Sequence, residues 1–363
     1  TGPAPQDTMS AGTRSENENI AFDLLYVSYV SPIGMFNVGY QIDDVWGTVW
    51  GNSSNPKGKI AYFFKTGGLT LILQAGKDKE LSRSATNLAG DADKDQSFYT
   101  AAGVYSWKTG EAGLLFKYIK NNQFRNAYNS PLTQDAGFTW DGLITTPYVK
   151  AKLGPVALQA QIYYLYGEQS WEGNRAGLPP AINTQDVDLN QLTAWIDATV
   201  DLGKFYVGGS LAYVSGDDPD TLDEQEGGVL GGGLDYNPCL IMFNSDLNYW
   251  TGNLAGHNGS ANNGPMSNAY FAQLRAGVKP IDKLDIMLSG SYATADKTPQ
   301  AVWDSREYGY EIDLTATYKL TNNLSYMVGG GYWMVGDYYK GTAAAGQDVD
   351  DNYIIINKLT LTF

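Results

Sequence analysis

Glu311 and Asp313 stand two residues apart, which places both carboxylates on one face of an extended chain, a pairing that could do acid–base work. The single histidine, His257, has Ser260 close by, as a hydrolase would need. A serine nucleophile requires its base held rigidly, and the Gly/Asn/Ser-rich stretch around His257 does not hold one. Carboxylates at this spacing are also ordinary lining for a wet strand face. Enzymatic function is therefore set aside. The acidic run Asp217, Asp218, Asp220, Asp223, Glu224, Glu226 and the clusters Asp348, Asp350, Asp351 and Asp91, Asp93, Asp95 offer oxygen ligands of the kind Ca²⁺ takes. None follows the EF-hand loop pattern, and a solvated loop surface is the simpler reading. No metal-binding motif is found, no cofactor is expected, and Cys239, being alone, makes no internal disulfide. A net charge of −15 argues against a nucleic-acid partner.

Strands have to position these groups. Of 363 residues only 17% are charged and 43% hydrophobic, while Tyr (26) and Gly (42) are abundant, a composition that suits strands and tight turns. No run of eighteen apolar residues exists for a transmembrane helix, and none is needed if each strand shows lipid every second side chain. Fifteen amphipathic segments recur, at 20–30, 35–42, 59–65, 69–77, 97–108, 112–120, 147–153, 156–168, 188–200, 204–215, 269–278, 284–293, 308–319, 324–337 and 352–363. In the thirteenth, Tyr308, Tyr310, Ile312, Leu314, Ala316 and Tyr318 alternate with Gly309, Glu311, Asp313, Thr315, Thr317 and Lys319. Connectors alternate between tight turns and long polar loops. The whole chain, 1–363, reads as one all-β domain: a transmembrane antiparallel up-and-down β-barrel. A soluble sandwich with one wet face is the competing reading. Single-chain bacterial barrels have even strand numbers, so fifteen segments lead us to expect about 16 strands and a chain lacking N-terminal strands.

Alternation also sorts the charges. Lys117, Lys150, Lys152, Arg275, Lys319 and Lys358, with Asp197, Asp285, Glu311 and Asp313, are expected to face the lumen. Both signs line the wall, so the acidic loops decide, and a mild cation preference is expected. Segment 216–268 contains an apolar knot, Pro238 to Phe243. It calls for a buried seat: folded into the lumen, packed over the mouth, against a neighbouring subunit, or as an uncounted strand pair.

Two stretches resemble Gram-negative outer-membrane porins. Tyr353, Ile355, Leu359, Leu361 and Phe363 end the chain at alternating spacing on an aromatic, similar to the insertion signal of outer-membrane barrels. Tyr26-Val27-Ser28-Tyr29 before a tight turn and the strand after it resemble a paired-strand element of those porins. The resemblance implies an inward constriction loop at 43–58, carrying Asp43, Asp44, Trp46 and Trp50. It also implies three missing strands and so an eighteen-strand barrel, a homotrimer, and a place in the outer-membrane lipid. The arginine cluster of general trimeric porins has no counterpart here. The function it implies is passive diffusion of small hydrophilic solutes and ions. The alternatives are a substrate-specific channel, with Trp46, Trp50 and Trp333 as a greasy track, or a barrel that sheathes another protein.

Overall fold

The computed structural model describes residues 24–52, 55–81, 93–125, 127, 136–173, 178, 184–228, 235–247, 264–299, 305–341 and 348–362. Its strands are β1 (Leu25–Ser31), β2 (Gly34–Asp43), β3 (Asn55–Thr66), β4 (Leu69–Lys79), β5 (Gln96–Trp107), β6 (Gly110–Asn121), β7 (Gly137–Leu153), β8 (Val156–Glu172), β9 (Val187–Asp201), β10 (Phe205–Val214), β11 (Glu224–Gln225), β12 (Ala269–Ile281), β13 (Leu284–Ala295), β14 (Glu307–Lys319), β15 (Leu324–Val335) and β16 (Asn352–Leu361). All but β11 pair antiparallel with their sequence neighbours in one continuous wall; β11 is a two-residue parallel bridge to β9. The fifteen wall strands correspond to the fifteen expected segments. Their odd number makes β1 and β16 run in the same direction, and among the described residues the two do not pair.

The alternation is physical, because each strand separates two media. Outward along β14 stand Tyr310, Ile312 and Leu314, all about half exposed, while Glu311 and Asp313 between them are buried inside. Outward aromatics gather at both ends: Tyr99, Tyr118, Tyr166, Tyr270, Tyr310 and Tyr332 towards the long loops, and Tyr105, Trp107, Phe205, Tyr318 and Tyr326 towards the tight turns. Aliphatic side chains such as Leu114, Leu143, Ile162, Ile196, Leu288 and Leu314 fill the band between. This is the two-girdle exterior of a wall that crosses a bilayer.

Two local departures from the expected pattern have clear causes. β7 starts at Gly137, ten residues before the expected start at Pro147. Proline is a poor marker for the inside of a strand because it cannot donate to the ladder. Here it sits mid-wall, and the register with β8 continues past it from Thr145–Tyr164 to Tyr148–Gln161. Tyr308 is not on the outer face with Tyr310. A register shift at Gly309, φ 113°, turns Tyr308 inward, where it is 2% exposed. A side chain at Gly309 would meet the Met334 carbonyl at 2.0 Å, so only glycine allows the bulge.

Candidate functional site

Two long connections turn inward and pack on the inner face. The first follows β2. Trp46 donates its indole N–H to the Thr146 carbonyl at 2.9 Å, next to Pro147, whose missing N–H leaves the ladder incomplete there. Thr48 donates through both its N–H and its hydroxyl to Gln161 Oε1 on β8, at 2.8 and 2.7 Å. Trp50 donates to Thr193 Oγ1 on β9 at 3.1 Å. Gly47 and Gly51 run so close to Gln161 that a side chain on either would meet its amide at 2.6 or 2.2 Å. The loop thus leaves the wall at Asp43 and rejoins it at β3, so Asn55 to Gly58, expected as loop, belong to that strand.

The root of this loop carries a charge cluster. Asp43, 4% exposed, takes Lys59 at 2.5 Å and Lys117 at 2.8 Å. Asp44 takes Lys117 and Lys57, each at 2.8 Å, and Lys57 also meets Asp78 at 2.9 Å. Three cations and three carboxylates therefore neutralise one another, as a cluster this poorly hydrated must. The cluster faces a cavity of about 470 Å³, bounded also by Trp46, Phe63, Gln74, Thr100, Ile144 and Tyr163. Lys57 and Lys59 were absent from the expected lumen set. Lys57 falls in the stretch expected as loop, whereas Lys59 opens the expected segment 59–65, where its alternation with Ile60 carries the signal.

The second inward segment is the apolar knot of 216–268. Tyr236, Cys239, Ile241, Met242, Phe243 and Leu247 are buried against Phe271, Ala293, Tyr308 and Trp333 of the wall. Its backbone is held by the wall's carboxylates. Glu311 accepts the N–H groups of Ile241 and Met242, both at 2.7 Å, and Asp313 accepts that of Leu240 at 3.3 Å. Burial pushes the Cys239 thiol well above its ordinary value. Residues 235–247 lie against the inner face of the wall. The two inward segments meet: the rings of Trp50 and Tyr236 pack edge to face at 5.0 Å, and Asn52 donates to Asp235 at 2.6 Å.

The remaining expected lumen groups are placed as follows. Arg275 forms a bidentate pair with Asp197, at 2.7 and 2.8 Å, across β10. Lys150 reaches the Gly47 carbonyl at 3.0 Å and Glu111 at 2.7 Å, and Lys358 pairs with Asp246 of the second segment. Asp285, which accepts Tyr206 OH at 2.9 Å, shares a recess at the tight-turn end with Lys319. Lys152 is exposed at that same end. Trp50 and Trp333 are 1% and 0% exposed, so they offer no track to a sugar; Trp46 alone of the three borders the cavity. Tyr353, Leu359 and Leu361 share one exposed face of β16. Phe363, Asp91, His257 and Ser260 lie outside the described residues. In the acidic loops Asp217 accepts the N–H of Glu226 at 2.8 Å, Asp218 pairs with Lys297 at 2.6 Å, and Asp351 accepts the N–H of Val335 at 3.0 Å.

An apolar belt outside and a charged inner face narrowed by two inward segments are the features of a β-barrel wall that crosses a bilayer. No protein-family model and no curated protein matches the chain. Among solved structures, OpdK, an outer-membrane protein of Pseudomonas aeruginosa, aligns at 13% identity over 92% of this chain and 79% of its own, with a TM-score of 0.46. OccK11 (OpdR) of the same organism aligns at 14% over 91% and 78%, TM-score 0.45. OccK2 (OpdF), solved with glucuronate, aligns at 14% over 93% and 79%, TM-score 0.45.

Proposed function

We propose that this chain conducts small hydrophilic solutes and ions by diffusion along the side of the lumen bordered by β2 to β8, and catalyses no reaction. The observation that carries this reading is the cavity beside the Asp43–Lys59–Lys117 cluster. Residues 235–247 of the second inward segment pack on the other side, against β9, β10 and β12 to β15. The wall charges near the passage are mutually paired, so the field at the mouth comes from the loops, and it makes the channel mildly cation-preferring. Planar-bilayer recordings of the reconstituted chain test both parts. Discrete conductance steps with a reversal potential favouring potassium are expected. Absence of conductance would overturn the channel in favour of a sheath, and a chloride preference would overturn the selectivity.

A second reading is favoured by the meeting of Trp50 with Tyr236, which joins the two inward segments into one partition. A passage so confined suits a substrate-selective channel better than a wide general pore. Liposome-swelling rates over a series of sugars and amino acids separate the two. Selectivity gives saturation with one solute class, and a general pore gives a smooth decline with size.

A further inference from the structure

Glu311 and Asp313 are buried to 0% and 2% exposure, and no lysine, arginine or histidine among the described residues forms an ion pair with either. The contrast with Asp43, buried equally well but met by two lysines, is sharp. Two adjacent buried carboxylates need a positive charge from somewhere. The Sγ of Cys239 lies with them: one ligand atom from each of the three residues falls within 4.8 Å of the others. Two further atoms there, Asp313 Oδ1 and the hydroxyl of Ser289, the residue directly across from Asp313 in the β13–β14 register, are buried beside each other, and neither makes a well-formed hydrogen bond.

We propose that Cys239, Glu311 and Asp313 bind one divalent, thiophilic cation of the zinc class, with the Ser289 hydroxyl beside it. A shared proton would engage the two carboxylates only. A zinc-type ion also uses the sulfur, and sulfur with oxygen ligands in a tetrahedral arrangement suits that metal. Such a site sets its ligand atoms roughly 3.6 Å apart, so the three, now within 4.8 Å, would close in by about 1 Å as the ion binds. The thiol gives up its proton to solvent as the ion enters, so binding is tighter at higher pH. The ion would pin the inward segment to β14, joining residues 239 and 311 by something stronger than the two amide hydrogen bonds beside them.

The test uses the full chain in detergent, stripped with a chelator and titrated with Cd²⁺ or Co²⁺. One equivalent is expected to bind with a thiolate-to-metal charge-transfer band. Cys239→Ser should abolish the band, and Asp313→Asn should weaken binding about tenfold or more. A second readout needs no variant: Zn²⁺ should raise the thermal midpoint of the stripped wild type, and Mg²⁺ should not. No bound equivalent and an unmoved midpoint would mean that a proton alone neutralises the pair, and the proposal falls. It also falls if Cys239→Ser binds as tightly as wild type, because the ion would then sit in the acidic loops.

Discussion

Lys117 Nζ stands 2.8 Å from Asp43 Oδ2, a bond between residues 74 positions apart that ties the inner face of β6 to the root of the first inward loop. Lys59 holds the other oxygen at 2.5 Å. Breaking such a pair on one side leaves its partners buried and uncompensated. Asp43→Asn would leave the Lys59 ammonium, 4% exposed, facing a neutral amide, while Lys117 would keep only Asp44. A loss of about 3–5 kcal/mol is expected. The temperature at which the folded band gives way to the unfolded one in semi-native electrophoresis measures it, and an unchanged transition would mean the cluster is not buried in solution.

Trp50 joins the first loop to the wall and to the second inward segment, through Thr193, Trp195 and Tyr236. Trp50→Ala removes a fully buried indole and should cost about 3–5 kcal/mol. It should also free the partition, so single-channel conductance should rise and become noisier. A variant with wild-type conductance and noise would show that the partition does not limit flow.

Much of this wall is legible in the sequence because a strand separating lipid from water must alternate, as β14 does residue by residue. The failures share one cause: a local signal contradicted by a distant partner. Pro147 reads as a strand boundary, yet β6 and β8 on either side carry it through the wall. Tyr308 reads as outward because nothing near it announces a bulge. Its glycine neighbour becomes informative only when the Met334 carbonyl lies against it. The apolar knot announces that it needs a seat, but its seat is Glu311, 70 residues on. Lys57 hides for the same reason, since its partners Asp43 and Asp44 lie across a loop.

Gly309 therefore offers a sharp test of the bulge. Gly309→Ala forces a methyl into the Met334 carbonyl at a φ that only glycine tolerates well. The backbone strain alone is worth about 1–3 kcal/mol. Relief by removing the bulge would push Tyr308 outward and every residue before it onto the wrong face. A lowered thermal midpoint and a reduced folded fraction after refolding into detergent are expected. A variant that refolds with wild-type yield and midpoint would argue against the register shift.

The outer loops should respond to pH in a definite direction. Asp218 is held below its ordinary 3.8, first by its hydrogen bond from Lys297 and then by the N–H of Asp220. Lys297 is held above its ordinary 10.5 by that same bond. A depressed carboxylate stabilises the folded loop above its unfolded pKa and loses that contribution as pH falls through the folded value. A raised lysine stabilises below its unfolded pKa and loses it as pH rises through the folded value. The pair is thus fully present between about pH 5 and pH 9.5 and weakens outside. Limited proteolysis across 215–228 should be slow in that window and faster below pH 4. Lys297→Met should make it fast at neutral pH, and equal rates at pH 3 and pH 7 would rule the latch out.

Leu73 and Gln74 are neighbours on β4 that face opposite media: Leu73 is 53% exposed on the outer wall, and Gln74 borders the inner cavity. Arginine at the two positions separates a lipid-crossing wall from a soluble sheet with one wet face. On the outer face near the middle of the bilayer, the charge costs about 2–4 kcal/mol. In the lumen it meets water and the Asp43 cluster, and the cost is small. Leu73→Arg should therefore lower the folded fraction in lipid vesicles, while Gln74→Arg should fold normally and shift the reversal potential towards anions. In a soluble sheet the order would invert, because Leu73 would already stand in water and Gln74 would sit in the protected face. Equal folding of Leu73→Arg and wild type in vesicles would remove the outer face from the membrane, and the channel with it.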